Sequence, residues 1–110
     1  MTLSIDVLVF YSPVEATEDV LAAVFAAGAG AIGDYTECAW FTLGTGQFRP
    51  GAGATPAIGS VGELERLPEH RVEVTVPRGL RGPVVAALRG AHPYEEPAFH
   101  VIETAATDPD

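Results

Sequence analysis

Residues 71–76 read Arg-Val-Glu-Val-Thr-Val. Valine at every second position, with polar residues between, is the pattern of a strand that buries one face and leaves the other open. Working outward, residues 3–10 (LSIDVLVF) form a second alternating segment, with Leu3, Ile5, Val7 and Val9 on one side. Ser12-Pro13-Val14-Glu15 has the form of a capping box with proline at the first helical position. The helix behind it carries Val20, Leu21, Val24 and Phe25 on one stripe and is predicted to end at Gly28. A further strand is predicted over 35–43 (YTECAWFTL).

Beyond 71–76, the spacing of Leu80, Val84 and Leu88 predicts a short helix over 80–89, with Pro83 in its first turn and Gly90 closing it. A last strand is expected at 98–103, followed from Thr104 by a polar end expected to fray. The order is β-α-β-β-α-β. With both helices on one face of an antiparallel sheet, this is an α+β, ferredoxin-like plan, one domain over 1–104 with a polar tail over 105–110. At 110 residues there is no room for a second core.

Composition narrows the partners. Fifteen acidic residues stand against six arginines and no lysine, a formal charge of −9. The arginines all lie between Arg49 and Arg89 without forming a stripe, so neither nucleic acid nor an anionic membrane surface is an expected partner. No basic leader and no run long enough to span a bilayer is present, which makes the cytoplasm the expected location. The single Cys38 gives no disulfide framework and has no cationic neighbour in sequence to activate it, so it reads as a structural or interface thiol.

Gly28-Ala29-Gly30-Ala31-Ile32-Gly33 matches GxGxxG, but in the wrong context. The dinucleotide fingerprint needs a strand before it and a helix after it, and here a helix ends and a strand begins. The three histidines, His70, His92 and His100, lack the spacing of a zinc site, and no nucleophile elbow is present. No catalytic set is visible, and the chain is not expected to be an enzyme by itself.

Two segments remain as functional candidates. The Gly- and Pro-rich stretch from Gly44 to Gly62 is too long for an ordinary turn. His92-Pro93-Tyr94-Glu95-Glu96-Pro97 gathers an imidazole, a phenol and two carboxylates between stiffening prolines. That group suits either a divalent metal or a polar ligand, and equally a rigid connector with solvated glutamates. The sheet carries a separate signal. If the odd positions of the first strand face the helices, then Leu8 and Phe10 point away, and with Trp40 they give an apolar outer face suited to another copy of the chain.

The run at 28–65 (GAGAIGDYTECAWFTLGTGQFRPGAGATPAIGSVGELE), followed by HPYEEPAF at 92–99, resembles the insertion module of the Nif-three-like family, also named after NGG-one-interacting factor three. Some members of that family carry a type-two GTP cyclohydrolase label. HPYEEP is also similar to a segment of the CutA divalent-ion tolerance proteins. The resemblance implies a PII- or CutA-like subunit standing alone, whose sheets meet in a trimer with loops lining clefts between subunits. It also implies that the two-metal site of full-length relatives lies in flanking halves, so a metal-dependent hydrolase fragment is the alternative to a binding or regulatory module. In such a trimer His92 and Glu95 are the expected first contacts for a ligand or divalent metal, with Tyr94 and Glu96 in support and Phe48 and Arg49 reaching from the other loop. An imidazole with a carboxylate suits Zn²⁺ or Cu²⁺ better than Mg²⁺.

Overall fold

Four antiparallel strands and two helices make up the protein in a computed structural model that describes residues 2–109. The strands are β1 (Thr2–Pro13), β2 (Trp40–Phe48), β3 (Glu65–Pro77) and β4 (Phe99–Pro109). They lie in the order β2-β3-β1-β4, the ferredoxin-like arrangement expected from the element order. Helix α1 (Thr17–Ala26) follows β1 through one 3-10 turn, and α2 (Arg81–Ala91) follows β3 through another.

The register decides which side chains meet the helices. Leu8 lies opposite Val74 and Phe10 opposite Val72, so the even positions of β1 share a face with the β3 valines. That face packs on Val20, Leu21 and Val24 of α1 and on Val84 and Leu88 of α2, and both Leu8 and Phe10 are fully buried there. The expected outer-face role of Leu8 and Phe10 is therefore corrected: they are core residues. The reason is that β1 is apolar at both odd and even positions, so alternation alone does not choose its inner face. Trp40 does lie on the open face, where it is 60% exposed. It forms a row across the sheet with Glu73, Val9 and His100, beside the row Thr75, Val7 and Ile102.

Other boundaries shift for physical reasons. β2 starts and ends five residues later than expected because Gly44 and Gly46, which read as loop, are strand residues paired with Glu69 and Leu67. β4 runs on to Pro109, with Thr107 paired to Ser4 and Asp108 to Leu3, so 105–109 are strand instead of a frayed tail. Ser12 does not cap α1; β1 continues to Pro13, and the Ser12 hydroxyl lies 2.8 Å from that of Thr17. Helix α2 passes through Gly90, whereas α1 stops where glycine makes stopping cheap: Gly28 has φ +111°, and the Gly28 and Ala29 amides return to Phe25 and Val24. Among the described residues no helix is long and apolar enough to cross a membrane.

At the far end of the sheet Asp6, fully buried, accepts hydrogen bonds from Arg78 at 2.8 Å and from Arg81 at 2.7 and 2.9 Å. Burial pushes its carboxyl up, but the two guanidinium groups outweigh that and hold it below its ordinary value. Glu103 completes the cluster, 2.9 Å from Arg81.

Candidate functional site

The chain entering β4 turns across the end of β1, and this brings the 92–97 segment against the start of the long loop that follows β2. His92 is buried and spends both ring nitrogens inside the protein: Nε2 donates to the Tyr11 carbonyl at 2.6 Å, and Nδ1 accepts from the Tyr94 amide at 3.1 Å. This fixes a neutral ring with its proton on Nε2. Burial pushes the imidazole below its ordinary value, outweighing the Tyr11 carbonyl and the Glu69 carboxylate, which act the other way.

Tyr94 stacks edge-on against Phe48 with ring centroids 5.6 Å apart, and its hydroxyl donates to Glu69 at 2.7 Å. Burial and that carboxylate push the phenol well above its usual range. Glu95 accepts a hydrogen bond from the Thr55 amide at 3.2 Å, which latches the two loops together. The loops thus meet within a single chain, where the sequence reading had neighbouring subunits bringing them together.

Between them lies a cleft of about 230 Å³. Its walls are Tyr11, Phe48, Pro50, Ile58 and Tyr94, and Glu69, Glu95 and Glu96 also line it. Arg49 is not among the lining residues; its guanidinium donates to the Gly62 carbonyl at 2.7 Å and holds the long loop closed on itself. Of the six expected contacts, Phe48, Tyr94, Glu95 and Glu96 line this cleft, whereas His92 and Arg49 do not; His92 touches it only through the Tyr94 amide.

The donors do not suit a metal ion as they stand. The His92 nitrogens are engaged, Glu95 is bonded to Thr55, and among the described residues no three His, Cys, Asp or Glu side chains stand close enough together to hold one. The contribution of Glu69 is not legible in the sequence. It lies 25 positions before Tyr94, in a strand where a glutamate reads as solvated, and only the tertiary fold joins the two.

Comparison with known proteins agrees with this architecture. No family model matches the sequence. The chain is 59% identical over 97 residues to the GTP cyclohydrolase 1 type 2 homolog of Mycobacterium tuberculosis, covering 88% of this chain and 26% of that protein. The crystal structure of a Bacillus cereus protein related to NIF3 superposes with a TM-score of 0.83 at 36% identity, over 98% of this chain and 28% of the other. The divalent cation tolerance protein CutA from Archaeoglobus fulgidus shares the fold, with a TM-score of 0.67 at 14% identity over 93% of this chain and 85% of that one. The chain thus spans about a quarter of the length of the curated relatives it matches, while it matches a CutA subunit almost end to end. By sequence the chain is similar to about a quarter of the GTP cyclohydrolase 1 type 2 homologues and of a NIF3-related protein, and by fold it is similar to CutA.

Proposed function

We propose that the chain is a small-molecule-binding module of a cytoplasmic NIF3-related protein, and that it assembles as a trimer through its open sheet face. The observation that carries the binding role is the joining of two otherwise separate loops, by the Glu95–Thr55 hydrogen bond and the Phe48–Tyr94 contact, around one apolar cleft with a few polar groups. Such clefts are the ordinary form of a ligand site. Assembly is supported by exposed Trp40 and Ile102 on a face that no helix covers.

Soaking crystals with a fragment library is the test. Bound fragments are expected in the cleft against Phe48 and Tyr94, and fragments bound only elsewhere would contradict the reading. The name of the relatives points to GTP chemistry, but that name describes proteins of which this chain covers 26%. Purified chain with Mn²⁺ or Zn²⁺ is expected to leave GTP intact. Turnover that survives repurification and is lost in His92→Ala would replace the binding-module reading with a hydrolytic one.

A further inference from the structure

We infer that the cleft selects a small organic cation, an amine or guanidine on an apolar body, with its charged head at Glu69 and its body against Phe48 and Tyr94. This rests on reading the cleft as a ligand site. Glu69 is only 9% exposed, yet the one hydrogen bond to its carboxylate among the described residues comes from the Tyr94 hydroxyl to Oε2. Oε1 has no hydrogen-bond partner among them, and it is not sealed from solvent either. A buried carboxylate that lacks a cation is costly, and a ligand ammonium would remove that cost.

The local backbone is shaped to keep the carboxylate where it is. A Cβ at residue 46 would collide with the carboxylate and Cγ of Glu69, so glycine there lets the side chain lie across β2. Among the described residues, no cationic side chain lines the cleft. Arg66 donates to Gln47 at 2.7 Å, Arg71 pairs with Glu73 at 3.4 Å, Arg49 is bound to Gly62, and none of the three lines the cleft.

The surroundings favour the same ligand sign. Glu95 and Glu96 stand at the cleft with Glu69, and after burial itself the carboxylates of Glu69, Glu15 and Glu65 all push the Tyr94 phenol upward. The faces of Phe48, Tyr94 and Tyr11 are the surfaces on which organic cations rest favourably. An anion, a nucleotide included, would meet three carboxylates with no arginine among the lining residues, Arg66 and Arg71 reaching only Gln47 and Tyr11 at its edge. The volume lies below the range of about 300–1,000 Å³ usual for drug-sized ligands, so the guest is fragment-sized.

The experiment is an amide-detected NMR titration of the chain with 2-phenylethylamine, 2-phenylethanol and 3-phenylpropionate, three probes of one shape and different charge. The amine is expected to shift the Phe48, Thr55 and Tyr94 amides and to bind roughly tenfold or more tightly than the alcohol, with the carboxylate weakest. Glu69→Gln, which keeps an acceptor for Tyr94, should bring the amine down to the level of the alcohol. Should that variant fail to fold, added salt decides in the wild type, because a charge-based preference must shrink as salt rises. An alcohol or carboxylate that binds the cleft as well as the amine, or an amine preference untouched by Glu69→Gln or by salt, would overturn the inference while leaving a ligand site standing. If no probe moves any cleft amide, the inference and the ligand-site reading fall together.

Discussion

His92 acts as a bracket between β1 and the 92–97 loop, holding the Tyr11 carbonyl with one nitrogen and the Tyr94 amide with the other. Protonating Nδ1 would break the second bond, and burial already opposes the charge. Because the folded state holds the proton less tightly than the unfolded chain, the stabilisation is complete above the ordinary value of 6.5 and is lost as pH falls below it. Urea denaturation should therefore show wild type losing stability between pH 7.5 and 5.5, with a flatter dependence in His92→Gln; equal slopes would contradict this. Asp6 answers to the same logic at lower pH. Its carboxyl is held below 3.8, so its contribution is present above that value and disappears as acid protonates it. Asp6→Asn at neutral pH should cost about 2–3 kcal/mol, since two charge-assisted pairings go but the half-exposed arginines keep Glu103 and water. A loss under 0.5 kcal/mol by calorimetry would mean the cluster is decorative. At this scale the sequence marks residues without assigning their tasks. HPYEEP stands out as unusual, but that its histidine is already engaged, and that Asp6 finds Arg78 and Arg81, depends on contacts across 72 to 81 positions.

Among the elements, β2 is where local reading and tertiary structure part most clearly. Gly44 and Gly46 weaken any strand prediction, yet both lie in a regular antiparallel ladder with β3. Gly46 is there because Glu69 lies over it, whereas an added Cβ at Gly44 would have only the Glu69 carbonyl as a neighbour, at 4.0 Å. Gly46→Ala should therefore destabilise by about 1–3 kcal/mol and loosen Tyr94, while Gly44→Ala should be close to neutral. Equal effects in thermal melts would show that Glu69 is not held against β2. The helices were more legible. Their apolar spacing predicts stripes of Val20, Leu21, Val24 and Phe25 and of Leu80, Val84 and Leu88; five of these are buried, while Phe25 is only partly buried and Leu80 is exposed. β3 is equally plain over 71–76 from its strict alternation, but not over Glu65–His70, where the strand runs on through Pro68. β1, apolar on both faces, needed its partners before its inner side was decided.

For the whole molecule, the open sheet face and the cleft are neighbours, because Tyr11, Phe48 and Glu69 fall by register on the same side of the sheet as Trp40 and Ile102. The open face, with Trp40 and Ile102 exposed, is expected to bring three copies together, so light scattering at micromolar concentration should give three times the 11.5 kDa chain mass. Trp40→Glu should shift that towards the monomer by placing an unpaired charge in the contact. A wild-type chain that runs as a monomer would remove the assembly from the account without touching the cleft, which one chain forms by itself. The central claim is that the two loops act as one ligand site. The most direct measurement follows Thr55 in one loop and Tyr94 in the other through a single NMR titration with a fragment that binds the cleft. Both amides are expected to move and to fit one common Kd, and Glu95→Ala, which removes the latch, is expected to weaken binding at both. Movement confined to one loop, or two unrelated Kd values, would contradict the claim.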